Sequence, residues 1–262
     1  MSMSHPEGDS RSSPAGPLTI GYLAWFCLPL ALTFLMMSGA APLVSNGITW
    51  MHGAEGERTH LSAFLLTFAT CIMIYSPMFI SRNVAIRTIT CRRSMARYAG
   101  FFVSCATVCA GLLVVVSKVD AVGHLLFRQL LGAGPEAERL AREGMLVFTP
   151  IPILVALRGL GQGCHISNGQ SWYVGLGTAL RLGMMGLFVF GYAIHHNLTG
   201  PVLGGFTYLT GIATETIFVL ATLWNKPQWR TAGDGPVLSC RQFGRYALPL
   251  MVGSFFNQLM GP

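Results

Sequence analysis

Arg158, Arg181 and Glu215 each interrupt an otherwise apolar segment of this chain. At mid-membrane such a residue costs about 2.5 to 3.5 kcal/mol on the lenient insertion scale, so each needs a partner or water. At ~1.5 Å per residue, Arg181 and Glu215 lie about seven and nine residues from the same ends of their segments, roughly 10 to 14 Å deep, and Arg158 is placed at a similar depth in the fourth. The spacing predicts an Arg, Glu, Arg layer at one depth. Such a layer, lining a cavity, would hold an anionic solute against surplus positive charge, with Glu215 as gate partner or protonatable group. The plainer reading is a buried ion pair plus an arginine that snorkels to the headgroups. For Arg158 the two readings stand level; for Arg181 and Glu215 the pathway is favoured, because deep ionisable residues usually face a bundle interior.

Asn46, with Ser45 and Ser38, gives the first segment a polar edge and joins the pathway residues. Thr210, Thr214 and Thr216 do the same near Glu215, although membrane hydroxyls more often bond their own backbone. His165 and the pair His195-His196 are read as loop residues without ligand partners at metal spacing, so no metal site is expected. No nucleophile, base and oxyanion set is present, nor a Walker or Rossmann glycine motif, so neither an enzyme nor a cofactor is expected.

The elements that must position these residues are membrane helices. Apolar residues make up 52% of the chain and charged ones 10%, a balance that excludes a water-soluble domain of this size. Six apolar runs are long enough to span: Leu18 to Val44, Leu61 to Ile80, Tyr98 to Ser117, Gly144 to Gly161, Val174 to Ile194 and Pro201 to Trp224. Phe243 onward opens a truncated seventh. They are apolar all round and lack the short alternation of a barrel, so the expected class is all-α, a polytopic transmembrane bundle. Residues 1–17 read as a disordered cytoplasmic tail, too acidic and without a cleavage site for a signal peptide. Residues 18–224 form the six-helix lobe, 225–242 a cytoplasmic linker and 243–262 the start of a second lobe.

The net charge of +7 marks topology rather than a nucleic-acid groove. Arg82, Arg87, Arg92, Arg93 and Arg97 fall in the second loop, Ser81 to Arg97, and Lys226, Arg230, Arg241 and Arg245 in the sixth, whereas the fifth has no basic residue. Even-numbered loops and the N-terminus are therefore expected inside. Loop three, Lys118 to Glu143, mixes charges and contains Val119, Val122, Leu125, Leu126 and Leu130, a spacing for a short amphipathic helix. Trp50, Trp172, Trp224 and Trp229 are expected as interfacial anchors. The seven cysteines form no CxxC pair, and no disulfide is expected. The Asn197-Leu198-Thr199 sequon lies too near the membrane to be used.

Leu28-Pro29-Leu30 followed by Pro42 recurs as Leu248-Pro249-Leu250 followed by Pro262, an offset of 220 residues. Pro29, Pro42, Pro150 and Pro152 are expected to kink their helices, and matching interruptions in two halves point to a transport pathway. Glycines from Gly159 to Gly186 predict close helix packing. With this repeat, the chain resembles the multidrug, oligosaccharidyl-lipid and polysaccharide exporter superfamily, the MATE-like fold of two six-helix lobes. Arg158, Gly161, Ala179-Leu180-Arg181, the stretch Gly211 to Thr216 and Asn46-Gly47-Ile48 are similar to the progressive-ankylosis type of transporter. The resemblance implies alternating-access export of a small, anionic, organic or phosphate-containing solute, with a second lobe as partner; the absence of organelle signals in the sequence points to a bacterial inner membrane. MATE proteins coupled to cations carry an acid in the first helix, and Ser38 to Asn46 holds none, which argues against that coupling. The alternative is a non-transporting half-transporter that needs a partner subunit; a lipid enzyme ranks third, for want of an acid, His or metal cluster.

Overall fold

The computed structural model describes residues 20–89, 92–192, 198–224 and 239–259, and every regular element among them is helical. In chain order they are α1 (Ile20–Tyr75), a 3₁₀ turn (Ser76–Ile80), α2 (Ser81–Thr88), α3 (Arg92–Lys118), α4 (Asp120–His124), a π turn (Leu125–Leu130), α5 (Pro135–Phe148), α6 (Ile151–Ser167), α7 (Ser171–Leu187), a π stretch (Phe188–Tyr192), α8 (Gly200–Trp224) and α9 (Cys240–Leu259). Five stretches are long and apolar enough to cross a membrane: Trp25–Met51, Arg58–Thr88, Arg92–Lys118, Ser171–Gly191 and Gly200–Trp224. The pair α5 and α6, bent by 44°, makes a sixth when counted as one span, so the chain is an integral membrane helix bundle of five to six spans against the six expected. The tail, most of the linker, Cys91, Asn197, Trp229 and Pro262 lie outside the described residues.

Several boundaries differ from the sequence reading. The first loop is absent as such, because helical bonding continues through α1 from the first span into the second. The direction nevertheless reverses within α1: a Cβ on Gly47 would lie 3.8 Å from Leu203, and Phe64 abuts Gly204, the next residue of α8. Seventeen residues of straight helix would separate them by about 25 Å. The second loop is largely helical too. Pro77 sits at the start of the 3₁₀ turn, where its missing N–H goes unused, and α2 carries the second span on to Thr88.

Segment four begins at Pro135 rather than Gly144. Gly134 caps α5, proline occupies its first turn, and Glu136 and Glu138 face the positive end of its dipole. The preceding connection needs Gly132, whose φ of 66° is a left-handed conformation. Loop three holds two short elements instead of one amphipathic helix: Phe127 is buried, while Val119, Leu125 and Leu130 stay exposed. Arg142 ties this connection together, donating from Nε to the Ser117 carbonyl at 3.0 Å and from Nη2 to Asp120 at 2.6 Å. α6 stops at Gly169, φ 71°, where the Gln170 amide donates back to the His165 carbonyl at 2.8 Å.

Glycines set the closest packing. Gly159 and Gly163, one turn apart on α6, face α2: a Cβ on Gly159 would strike Ser81 Oγ, and one on Gly163 would strike Ala85 and come within 2.6 Å of the Arg82 carbonyl. Gly183 has open space around it, so the glycine run is a packing seam at some positions only. Gly163→Leu is therefore expected to lower the melting temperature in detergent, with an overpacking cost of about 1 to 3 kcal/mol or more. Gly183→Leu should leave it unchanged, and equal melting of the two variants would contradict the seam.

α9 starts at Cys240, three residues before the expected Phe243, and is not among the stretches apolar enough to span. It lies against α3, with Phe243 stacked on Tyr98 at 4.0 Å and 7°. Further along, Ser254 Oγ donates to the Ser76 carbonyl at 3.0 Å. Trp50, Trp172 and Trp224 are all exposed near span ends. Trp172 stacks on Trp25, and Arg92 lies 4.2 Å above the Trp224 ring.

Candidate functional site

α7 and α8 run antiparallel, and Gly177 and Gly211 open the contact between them. A Cβ on Gly177 would meet Glu215 Cγ at 3.5 Å, and one on Gly211 would meet Arg181 Cγ at 3.1 Å. Large side chains there would displace the charged groups. With α6 packed against the same face, Arg158 and Gln162 (one turn apart on α6), Thr178 and Arg181 (one turn apart on α7) and Glu215 converge on one point.

Glu215 is 1% exposed, Arg181 5% and Arg158 7%, so the charges are out of solvent within the bundle. Glu215 Oε2 accepts a hydrogen bond from Arg158 Nη1 at 2.8 Å, and Arg181 Nη1 lies 3.7 Å from the same oxygen. The first is a charge-assisted hydrogen bond and the second a looser ion pair. Oε1 accepts from Gln162 Nε2 at 2.7 Å and from Thr178 Oγ1 at 3.3 Å. Both oxygens of the carboxylate are thereby occupied, and it stands between two guanidinium groups. Arg181 also lies 5.8 Å from the Tyr208 ring centre, where the aromatic face offsets part of its desolvation.

Two arginines against one carboxylate leave surplus positive charge. It is enlarged on the side of α2, where a cavity of about 350 Å³ is lined by Ser81, Arg82, Arg158, Gly159 and Gln162, with Thr33 and Met37 of α1 opposite. Arg82 is half-buried and makes no ion pair among the described residues. The arrangement is three cations around one anion, most of it beyond solvent. No cluster of three His, Cys, Asp or Glu occurs among the described residues.

The structure thus brings together Arg158, Arg181 and Glu215, and adds Gln162, Thr178 and Arg82. Gln162, just past the end of the fourth run, and Thr178, inside the fifth, are neutral and carry no signal; Arg82 reads as loop because Ser81-Arg82-Asn83 is polar. Asn46 does not join the layer. It is exposed, next to Gly47, which meets Val189, and Val189 lies eight residues beyond Arg181, about 12 Å along the axis. Thr210, Thr214 and Thr216 do bond carbonyls one turn back, Thr216 at 2.6 Å.

Pro150 stands at the junction of α5 and α6, which bend by 44°. Pro152 is not a separate interruption: it falls in the first turn of α6, where no partner for its nitrogen is needed. Pro29 and Pro42 lie inside α1, which remains helical through both. The Pro29 carbonyl is met by Thr33 Oγ1 at 2.8 Å. His165 is a correction of another kind. It is a buried residue of α6, its ring stacked on Tyr173 at 5.0 Å and Nε2 within 3.1 Å of Thr222 Oγ1 and 3.2 Å of the Val219 carbonyl. It ties α6 to α7 and α8 and is no loop residue.

No family model matches the sequence, and no curated protein does. Solved structures do match in fold. A MOP superfamily transporter from Pyrococcus furiosus, described as having a binding pocket of reversed polarity, superposes with a TM-score of 0.60 at 16% identity, over 91% of this chain and 52% of its own. An outward-facing multidrug resistance MATE family transporter of that superfamily gives 0.62 at 17% identity, over 91% and 52%. A MATE protein in complex with Br-NRF gives 0.57 at 14%, over 91% and 54%. The chain has the fold of these transporters and spans about half their length.

Proposed function

We propose that this chain is one lobe of an alternating-access exporter for a small anionic solute. The observation that carries the reading is the Arg158, Glu215, Arg181 layer, whose charges exceed what a closed ion pair needs and which adjoins a further arginine across a cavity. Buried charge that only stabilises is a poor investment, since an apolar replacement of similar volume is often neutral or better. The likeness in fold to MATE and MOP transporters supports the transport class.

The same reading sets the orientation. Arg87, Arg92, Arg93, Arg97, Arg241 and Arg245 collect at one end of the spans, with no acid there among the described residues, which supports a cytoplasmic face. The other end mixes Lys118, Asp120, Arg128, Glu138, Arg139 and Glu143. The site then lies nearer the inner face.

A second reading, a non-transporting module awaiting a partner, is favoured by one feature: an open apolar groove of about 1010 Å³ along α1 and the Leu126 to Ala137 connection, which includes Leu65, Phe68 and Leu131. Proteoliposomes holding the product of the full reading frame decide between them. Saturable efflux of labelled phosphate or citrate, with none of tetraphenylphosphonium, is expected; efflux of the cation alone would reverse the polarity assignment, and efflux of neither would favour the module.

A further inference from the structure

Resting on that proposal, we infer that the chamber between α1, α2 and α6 is where the cargo's oxyanion group is held, separate from the Glu215 clamp, with Arg82 and Ser81 as its binding residues. Two buried polar atoms lead there. Ser81 Oγ and Arg158 Nε have no hydrogen-bond partner, and both side chains line the 350 Å³ chamber. Ser81 is fully buried and Arg158 7% exposed. Native interiors leave few such groups unmet, because a buried donor without an acceptor carries its full desolvation penalty.

The chemistry of the missing partner follows from the donors. Ser81 Oγ and the guanidinium groups of Arg82 and Arg158 offer hydrogens, and Arg158 commits Nη1 to Glu215 while leaving Nε without an acceptor. Gln162 gives its amide to Glu215 through Nε2, which leaves its oxygen as the acceptor among the polar atoms facing this side. Arginine forks match phosphate and carboxylate oxygens in pairs. Two positive groups with no acid in the chamber suit a dianionic oxyanion, such as a phosphate monoester group or inorganic phosphate. The Glu215 carboxylate, on the far side of Arg158, is the internal competitor: it keeps Arg158 neutralised when the chamber is empty and shares it when an oxyanion arrives. Gly159 lets α2 seat Ser81 close against α6 at the chamber wall, because a methyl there would strike Ser81 Oγ.

The test is calorimetric titration of the detergent-purified full-length product with inorganic phosphate, with tetramethylammonium chloride as the cation control. Saturable phosphate binding is expected, weakened at least tenfold by Arg82→Gln and by Ser81→Ala, partly restored in Arg82→Lys, and unaffected by Arg87→Gln on the exposed face of α2. Size-exclusion profiles matching wild type show that the variants fold; if Arg82→Gln does not, Ser81→Ala and Arg82→Lys carry the comparison. Phosphate binding unchanged in all Arg82 and Ser81 variants, or absent from wild type, overturns the chamber. Anion efflux that persists in that case leaves the transport reading standing, so the two fail separately.

Discussion

Replacing Arg181 with glutamine is expected to abolish anion export while the protein still inserts and purifies as a monodisperse species. The side chain is 5% exposed and its charge is balanced only in part, since Glu215 gives its nearer contact to Arg158 at 2.8 Å and stands 3.7 Å from Arg181. Glutamine retains length and hydrogen-bonding capacity, and Arg158 still pairs with Glu215, so the fold keeps a neutral pair. What disappears is the surplus cation. Losing one partner of a desolvated charge interaction costs about 2 to 5 kcal/mol, which is roughly a 30-fold to several-thousand-fold loss of affinity. Labelled-anion efflux from proteoliposomes at matched protein density measures it. Unchanged export would remove Arg181 from the mechanism.

Glu215→Ala should act on stability instead, and more severely. Its removal leaves Arg158 and Arg181 buried without a counter-charge and deprives Gln162 Nε2 of its acceptor, while Thr178 Oγ1 keeps the Val174 carbonyl. Breaking a buried pair from one side costs about 3 to 5 kcal/mol, enough to consume a large part of a domain's stability. The expected result is a steep fall in melting temperature and folded yield. Coupling Glu215→Gln with Arg158→Gln should recover part of it, because one of the two stranded arginines is then gone while Arg181 keeps its buried charge. If the single and double variants melt alike, the clamp is not what holds α6, α7 and α8 together.

Much of this was legible before any coordinates. Spans are read from hydropathy because lipid forbids polar surface, and the common depth of Arg158, Arg181 and Glu215 follows from helix rise alone. The partners of Glu215 were not legible: Gln162 and Thr178 are short neutral side chains, and nothing in an apolar run tells which face meets another helix. Arg82 was misplaced for a related reason. Polar residues lining a chamber look, to any averaging of hydropathy, like the start of a loop, and only the α2 continuation through the 3₁₀ turn reveals the difference. Asn46 stands apart from the layer, since a polar residue in the first span has no obligation to face it. The helical link within α1 escaped because polar residues at 52–60 read equally well as loop or helix.

The depth of the arginine layer has an electrical consequence. Arg158, Arg181 and Glu215 lie nine or ten residues from the arginine-rich ends of α6, α7 and α8, about 14 Å, somewhat under half the hydrocarbon thickness. A membrane potential does about 2.3 kcal/mol of work per elementary charge per 100 mV over the full thickness. Under the proposed function, an anion drawn from that end to the layer would move through nearly half the field, and its occupancy would shift by about 1 kcal/mol per charge for each 100 mV. Voltage alone would then tilt the site between loading and release by several-fold, and twice as steeply on a logarithmic scale for a dianion.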